Sequence, residues 1–449
     1  VLIIDASKGF IKEGKNNKLR ASDIKRIADT FIKRESIPKF SRVVSREEIR
    51  SNDYNLNIPR YVDSSEAAEH WDVYASMFGG IPTAEIDEMS EFWTAFPALK
   101  KALFTESGIP YVNVSTPDIK SAIKSHPDVV GFENAFNAAF STFPAFLKEE
   151  LIDRMGSIEI SKAETVLSAD IFERLKEIPL IDKYAAFQLL DDDWTGISID
   201  LEMLQTEGFA ATKKVDPNLV IKKKDGKDQE VQEGWVGHII PFDLVQATLL
   251  SAETDELHGL ESRLAEIPSE YESILDEMTE EDKESCNDVL TEEGDAFVPK
   301  EVSKKIKELK KDRSPESVAL RTLLEKVESL VKSEKEIKAE IKAKSAALQA
   351  KTKDTIESLS DEQALDLLEK KWIAPLIESI HKLPDTVIDS LVSKIQALQN
   401  KYATTFFEVE QQISETEATL SGMIDDLEGN EYDMLGLNEL KKLLGGSAE

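Results

Sequence analysis

The chain opens with Val1-Leu2-Ile3-Ile4-Asp5-Ala6-Ser7, a run of apolar residues that ends in an aspartate. This pattern is typical of an inner strand of an α/β sheet, with the carboxylate at the carboxyl edge of the strand. Such a strand needs neighbouring strands and covering helices, because its apolar side chains point to both faces. We therefore expect the sequence to begin inside a domain, and any active site of that domain to precede residue 1.

A helix is predicted after a polar loop, rich in lysine and asparagine, that runs from residue 8 to residue 20. Ser22 is a favourable cap, because its hydroxyl can accept a hydrogen bond from a free N–H group in the first turn. The apolar residues that follow at helical spacing are Ile24, Ile27, Ala28 and Phe31. They predict one buried helix face.

Two short strands are predicted in the rest of this segment. The first covers residues 41–45, and Ser45 and Glu48 then have the spacing of a capping box that starts a helix. The second covers residues 54–61, where Tyr54 and Leu56 belong to an apolar–polar alternation and Pro59 would lie at a sheet edge.

Changes in composition divide the chain into three predicted regions. Residues 1–63 read as α/β, and residues 64–250 as a mixed, mainly helical region that is rich in aromatic side chains. Within it a β-hairpin is predicted near residues 219–240, around the turn pair Asp225-Gly226. Residues 251–449 read as long helices. The predicted fold class is α+β and predominantly helical.

The last region contains two apolar stripes at helical spacing. The first holds Leu320, Leu324, Val327 and Val331. The second holds Ile388, Leu391, Ile395, Leu398, Tyr402, Phe406, Val409 and Ile413, and continues with Leu420, Ile424 and Leu427. A single helix carrying the second stripe would be about 60 Å long. Long antiparallel or coiled-coil helices are predicted.

Charge is distributed unevenly. The net charge of the 449 residues is −32, which excludes a protein that wraps nucleic acid with its whole surface. Residues 1–60, however, hold 14 Lys and Arg against 8 Asp and Glu, so this segment carries +6 and the remainder −38. The single cysteine, Cys286, excludes a disulfide framework and a cysteine-based zinc site. Without a membrane-spanning apolar run or a signal peptide, a cytoplasmic location is expected.

A search for catalytic and metal-binding motifs assigns no such residue. The five histidines, at positions 70, 126, 238, 258 and 381, are too scattered for a metal-ligand pattern, and structural roles are expected for them. Gly79-Gly80 could belong to a cofactor loop, but no strand precedes it and Pro82 follows, so a turn that ends a helix is the preferred interpretation. No nucleophile elbow or phosphate loop is present.

Three runs of charged residues could bind a ligand or could simply form solvated surface. Asp191-Asp192-Asp193 could bind a cation, but adjacent carboxylates point in different directions, and a solvated loop is preferred. Glu280-Glu281-Asp282 is interpreted as an acidic helix surface. Lys222-Lys223-Lys224 could contact phosphate or be a solvated hairpin tip. The basic stretch from Lys8 to Arg60 is compatible with one face of a nucleic-acid cleft, and equally with a lysine-rich helix surface.

Four blocks of sequence resemble the modification subunit of type I restriction–modification systems. They are Val1–Ser7, Asn17-Lys18-Leu19-Arg20, Phe40–Ser45, and Asn52-Asp53-Tyr54-Asn55-Leu56-Asn57-Ile58-Pro59-Arg60-Tyr61-Val62, and they occur in the order and spacing of the end of that family's catalytic domain. Trp71-Asp72-Val73-Tyr74, Met77–Pro82, and Gly429–Met434 with Gly436-Leu437 look like the longer members of the family. The blocks in residues 1–63 are the most diagnostic.

The resemblance implies a DNA methyltransferase subunit that uses S-adenosylmethionine to methylate the exocyclic amine of adenine in a flipped-out base. It implies partners as well: a specificity subunit, a restriction subunit, and double-stranded DNA bound through the complex. The family holds the target base with an Asn-Pro-Pro-aromatic motif and the cofactor with a glycine-containing loop. Residues 1–449 contain neither motif, so no catalytic, cofactor-binding or metal-binding residue is carried over.

What the resemblance carries over is structural. Val1–Ile4 and Ser41–Val44 would be late strands of the methyltransferase sheet, and Tyr54–Tyr61 the strand that leads out of it. The carboxyl-terminal helices match the part of the family that packs against the helical spacers of the specificity subunit, and the apolar stripe around Leu391 and Leu398 would be the contact. Two alternatives stay open: that stripe could serve a helical hairpin within the chain, and the chain could be a non-enzymatic helical adaptor.

Overall fold

A computed structural model of the chain describes residues 1–65, 70–108, 110–224, 227–291, 294–312 and 314–444. These residues form two compact units. Unit 1 comprises Val1–Glu150, Glu159–Ile197 and Ala374–Glu449, and unit 2 comprises Leu151–Ile158 and Ser198–Ile373. Each unit is therefore assembled from segments that are distant in sequence.

Nine strands are assigned within the described residues. They are β1 (Leu2–Ile4), β2 (Ile11–Glu13), β3 (Asn16–Lys18), β4 (Ser41–Val43), β5 (Ile81–Pro82), β6 (Phe104–Glu106), β7 (Tyr111–Val114), β8 (Val215–Lys224) and β9 (Lys227–Gly237). They pair as β1-β4, β2-β3, β5-β7-β6 and β8-β9, and all of these pairs are antiparallel.

The remainder is dominated by helices, so the predicted class, α+β and predominantly helical, is confirmed. The α-helices in the first half are α1 (Ala21–Lys33), α2 (Arg46–Ser51), α3 (Val73–Phe78), α4 (Thr83–Asp87), α5 (Ser90–Ala95), α6 (Leu99–Leu103), α7 (Ile119–Lys124), α8 (Pro127–Phe140), α9 (Phe143–Leu147), α10 (Ile160–Arg174) and α11 (Lys183–Glu207). Those in the second half are α12 (Phe242–Leu249), α13 (Ser251–Glu277), α14 (Glu280–Ser285), α15 (Pro299–Leu309), α16 (Pro315–Glu357), α17 (Asp361–Trp372), α18 (Ala374–His381), α19 (Leu383–Lys401), α20 (Phe406–Asp425) and α21 (Glu431–Leu444). No helix among the described residues is long and apolar enough to cross a membrane.

The first predicted strand and the strand near residue 41 are both present and pair with each other. Leu2 lies opposite Val43, and Ile4 lies opposite Ser41. A small core beneath this ladder contains Ile3 and Val44. The opening apolar run is therefore half of a two-stranded antiparallel ladder within the described residues.

Two expectations for residues 8–61 are wrong. The predicted loop from 8 to 20 contains the hairpin β2-β3, whose turn uses Gly14 in the left-handed region at φ 60°. The predicted strand at 54–61 is a turn followed by a short 3₁₀-helix over Ile58–Arg60. Asp53 and Tyr54 both adopt positive φ, which breaks an extended backbone at the start of the alternating pattern.

The helix predicted around Ser22 is α1, but its start and its covered face differ from the prediction. Arg20, not Ser22, is the cap, because the Asp23 carboxylate accepts hydrogen bonds from both the backbone and the side chain of Arg20. Ile24 and Phe31, expected in the core, are exposed. The side that packs on α11 carries Ser22, whose N–H donates to the side chain of Gln188.

Unit 1 has an aromatic core that the density of phenylalanines had indicated. Fully buried rings of α8 and α9 stack in sequence along this core, with Phe136 on Phe140 and Phe140 edge-on to Phe143. The helix α19 packs against α7, and Lys124 and Asp385 pair across that contact at 2.6 Å. Residues that are far apart in sequence thus build one core.

Unit 2 contains the predicted β-hairpin and the predicted long helices. The hairpin is β8-β9, and Asp225-Gly226 at its tip lies outside the described residues. The 43-residue helix α16 is about 65 Å long and packs along α13. Its predicted apolar stripe is the covered face, with Leu324 and Val327 fully buried.

The second stripe does not lie on one helix. The chain leaves the helical conformation after Lys401, and Thr405 caps the new helix α20 in a capping box with Glu408. The two halves have opposite environments, because Ile388, Leu391 and Ile395 of α19 are buried while α20 has no buried residue. The prediction of one continuous helix is therefore wrong, although most apolar residues of the stripe do lie on helices, divided between α19 and α20.

Candidate nucleic-acid interface

A cavity of about 390 Å³ opens where β1 ends. It is lined by Asp5, by the cations Lys8, Arg20, Arg26 and Lys39, by Asp23, and by neighbouring residues of the chain that include Phe40 and Ser64. The four cations and two carboxylates give the lining a positive balance. Most of the lining belongs to the basic stretch from Lys8 to Arg60, for which the sequence left a nucleic-acid face and an ordinary lysine-rich surface equally open.

Asp5 organises the mouth of this cavity. Its carboxylate accepts hydrogen bonds from the Ser7 N–H at 3.0 Å and from the Ser64 hydroxyl, and its own N–H donates to the Phe40 carbonyl. Because the hydrogen bonds from Ser64 and Ser7 stabilise the charged form, the pKa of Asp5 is lowered. The carboxylate is therefore ionised near neutral pH, and Asp5 as a whole links three segments of the chain through its carboxylate and its backbone N–H.

The cap and the second turn of α1 supply two of the cations. Arg20 donates from both Nε and Nη2 to the Asp23 carboxylate, at 3.0 and 3.1 Å, and this bidentate contact lowers the pKa of Asp23. One turn on, the Arg26 guanidinium lies 4.5 Å from the centre of the Phe40 ring and 5.7 Å from that of Tyr184. Both arginines are thus held by protein contacts before any ligand arrives.

The hairpin β2-β3 extends the basic surface beyond the cavity. Every residue of both strands is exposed, including Lys12, Asn16, Asn17 and Lys18. Lys18 pairs with Glu13 at 3.0 Å, but both side chains are more than half exposed, so this ion pair adds little stability. A short, exposed ribbon of lysine and asparagine suits contact with a phosphate backbone.

The histidines considered as metal ligands from the sequence do not form one cluster in the structure. His238 lies between Asp216 and Glu207, with Nδ1–O and Nε2–O distances of 2.6 and 3.2 Å, while His126 caps α8. In the part of the chain that the structure describes, no group of three or more His, Cys, Asp or Glu side chains is arranged to hold a metal ion.

The glycine pair and the charged runs considered in the sequence lie in, or at the ends of, ordinary elements of secondary structure. Gly79 ends α3 at φ 85°, as expected of a helix-terminating turn, and Glu280-Glu281-Asp282 forms the acidic first turn of α14. Asp191-Asp192-Asp193 lies inside α11, so the loop interpretation is wrong, and burial raises the pKa of Asp191 and Asp193. Lys223 lies exposed near the end of β8.

A second exposed surface is formed by the last two described helices. Helices α20 and α21 pack against each other, and Lys441 and Asp425 form an ion pair between them. Neither helix has a buried residue, although together they carry eleven exposed large apolar side chains. These side chains are Phe406, Phe407, Val409, Ile413, Leu420, Met423, Tyr432, Met434, Leu435, Leu440 and Leu443, and Leu427 in the turn between the helices is exposed as well.

The sequence could not reveal the cavity as a unit. Asp5 and the basic stretch were visible signals, but the Tyr184 ring that completes the Arg26 stack comes from a helix more than 150 residues away. Only the packing of α1 on α11 brings these groups together.

Comparison with known proteins gives a partial match in this same segment. A family model described as N-6 DNA Methylase matches residues 1–70. The chain is 34% identical over 73 residues to the type I restriction enzyme MpnII methylase subunit of Mycoplasma pneumoniae. It is 43% and 40% identical over 76 residues to the type I restriction enzyme MjaVII and MjaVIII methylase subunits of Methanocaldococcus jannaschii.

Each of these matches covers 16% of this chain and 13% of the relative's length. No solved structure matches the chain. Residues 1–70 are therefore similar to the N-6 DNA methylase family and to a short part of methylase subunits of type I restriction enzymes.

Proposed function

We propose that this chain acts as part of the modification subunit of a type I restriction–modification system. In this proposal the assembled enzyme transfers a methyl group from S-adenosylmethionine to the exocyclic amine of adenine in double-stranded DNA. A specificity subunit reads the target sequence, and a restriction subunit joins when DNA is cleaved. The observation that carries the proposal is the match of residues 1–70 to the N-6 DNA methylase family.

No catalytic role is assigned to a residue of this chain. The Asn-Pro-Pro-aromatic motif that holds the target base in the family is not within residues 1–449. The cavity beside Asp5 does not suit the methyl donor, because its lining is net cationic and the sulfonium of S-adenosylmethionine is itself positive. The chemistry of methyl transfer is therefore not routed through this cavity.

The proposal gives separate roles to the two exposed surfaces. The cavity and the hairpin β2-β3 face the DNA, because they concentrate positive charge on an otherwise acidic chain. The hairpin of α20 and α21 faces the helices of the specificity subunit. An exposed, apolar pair of helices favours a partner helix, since burial of this surface removes apolar area from water.

A second candidate function is a non-enzymatic adaptor that binds a partner through the same helices. The exposed apolar side chains of α20 and α21 support it as much as they support the first candidate. The two candidates differ in chemistry. The first predicts methyl transfer by the complex that contains this chain, and the second predicts partner binding alone.

The test starts with capture of the tagged chain from cells that encode it. The captured complex is incubated with S-adenosylmethionine and double-stranded DNA, and N6-methyladenine is measured by mass spectrometry. Methylation together with a captured specificity subunit supports the first candidate. A captured partner without methylation supports the adaptor, and absence of both overturns the two.

The role of α20 and of the turn that follows it is tested with a charged variant, M423E combined with L427E. Both side chains are more than half exposed, so the fold should tolerate the change while the apolar contact surface is lost. S414E is the matched control, because it adds a carboxylate to an exposed polar position of the same helix. Equal capture of the specificity subunit by all three proteins would remove α20 from the proposed interface.

A further inference from the structure

The cavity beside Asp5 has the charge of an anion site. Four cationic side chains line it, at positions 8, 20, 26 and 39, against the two carboxylates of Asp5 and Asp23. Both carboxylates already accept hydrogen bonds from protein groups, namely Ser7 and Ser64 for Asp5, and Arg20 for Asp23. Arg20 neutralises Asp23, whereas the serine hydrogen bonds leave the charge of Asp5 in place, so the four cations and two carboxylates of the lining leave a charge of +2 for an incoming anion.

Arg26 is held in place by its contacts, but it is weakly paired. Its guanidinium is stacked against Phe40 and Tyr184, and the ion pair with Asp182 is long, at 3.9 Å. Its Nε–H is buried and has no hydrogen-bond partner among the described residues. The Arg26 side chain as a whole is 36% exposed and lines the cavity, and a planar guanidinium that aromatic rings hold in place is well suited to phosphate.

Lys39 and Gly9 shape the rest of the cavity. Lys39 is exposed and adopts φ 61°, which turns the backbone between Pro38 and Phe40. A Cβ atom on Gly9 would lie 2.8 Å from Oδ1 of Asp23, closer than real Cβ contacts allow. The contacted atom is the far end of the Asp23 side chain, so a larger residue at position 9 would displace this carboxylate from Arg20.

We propose that this cavity binds a phosphate group, through Arg26 and Lys39, and that the phosphate belongs to the backbone of a DNA strand. The choice of DNA over a free phosphate follows from the neighbouring hairpin β2-β3, whose exposed lysines and asparagines continue the basic surface out of the cavity. The phosphate site stands on the cavity itself. Only the DNA source rests on the proposed function.

The first experiment measures binding of inorganic phosphate to the full chain by ³¹P NMR line broadening. Wild type is compared with K39Q. The matched control is K176Q, which removes a lysine from an exposed position elsewhere in unit 1. We expect K39Q to weaken phosphate binding about tenfold, as the loss of one charge-assisted hydrogen bond implies, and K176Q to bind phosphate as wild type does.

The second experiment measures the anisotropy of a labelled double-stranded oligonucleotide over a series of salt concentrations. We expect K39Q to lower the DNA affinity and to reduce the slope of log affinity against log salt by about one, because one phosphate contact is lost. Inorganic phosphate should compete with the DNA for wild type. K176Q should leave both the affinity and the slope unchanged.

The outcomes distinguish DNA from free phosphate as the ligand. They also distinguish failure of the phosphate site from failure of the proposed function. Equal phosphate binding by wild type and K39Q overturns the site. Weaker phosphate binding by K39Q with unchanged DNA binding overturns the DNA source and leaves a site for a free phosphate. Because both measurements use the chain alone, they do not depend on methylation or on the specificity subunit. Failure of the proposed function would therefore be seen independently.

Discussion

At the residue scale, single side chains bridge distant parts of the sequence. Asp200 accepts hydrogen bonds from the Lys371 ammonium and, at 2.7 Å, from the Trp372 indole N–H, so two neighbouring residues of α17 are fixed to α11. Because Trp372 is buried, removal of Asp200 would leave the indole N–H without its hydrogen-bond partner. Such contacts explain why helices from different segments pack with a defined register.

His238 predicts a pH dependence. Hydrogen bonds to Asp216 and then to Glu207 raise the pKa of this imidazole, although burial opposes the shift. A raised pKa in the folded state means that the stabilisation is fully present below the unfolded value of about 6.5 and is lost as the pH rises through the folded value. We expect the urea midpoint of wild type to exceed that of H238Q most at pH 5.5, with the gap closing towards pH 8.5.

The control for this effect is H258Q, which removes an exposed histidine of α13. Its midpoint should follow that of wild type at every pH. A gap between wild type and H238Q that stayed constant across the range would show that His238 acts by packing and not by its charge.

At the scale of elements, the break between α19 and α20 depends on a capping box. The Thr405 hydroxyl accepts the Glu408 N–H at 3.1 Å, and the Glu408 carboxylate accepts the Thr405 N–H at 3.0 Å. We expect T405A to destabilise α20 by about 1 kcal/mol, whereas T405S keeps the hydroxyl and should behave nearly as wild type. Hydrogen exchange of the α20 amides measures this, and equal exchange in T405A and wild type would contradict it.

The environment of α19 decides between the two roles left open for Leu391. This side chain is fully buried, and its helix packs on α7, so it serves a core within the chain. We expect L391A to lower the free energy of unfolding by about 3 kcal/mol, as removal of a buried leucine usually does. The half-buried Leu398 is the control, and L398A should cost clearly less. Circular dichroism during urea unfolding checks both, and equal midpoints would refute the assignment.

At the scale of the whole molecule, the net charge of −32 opposes the compact state through self-repulsion. Most ion pairs within the described residues are on the surface, where each contributes little. Screening by salt should therefore weaken the overall charge repulsion more than it weakens the ion pairs, and so stabilise the folded state. We expect NaCl between 20 and 200 mM to raise the melting temperature by about 1–3 °C. Sucrose of equal osmolality is the control, and a fall in melting temperature with salt would show that local ion pairs dominate.

Several features of the fold could be predicted from the sequence because they depend on local patterns. The strand at Leu2–Ile4, the covered stripe of α16 and the hairpin of β8 and β9 follow from apolar spacing and turn residues. The family segment in residues 1–70 was likewise visible in its ordered blocks. The strand predicted from the alternation around Tyr54 is wrong. Residues 53 and 54 both have positive φ, and the backbone forms a turn there.

The sequence alone therefore determined where most helices lie, which of their faces are apolar, and the family of the first segment. The tertiary structure decided which apolar faces are covered: α19 is buried against a helix about 260 residues earlier, while α20 and the outer side of α1 are left exposed. It also brought Arg26, Phe40 and Tyr184 together at one cavity. The physical reason is that the spacing of apolar residues specifies only that a helix has an apolar face. Whether that face is buried depends on which distant segment of the chain packs against it.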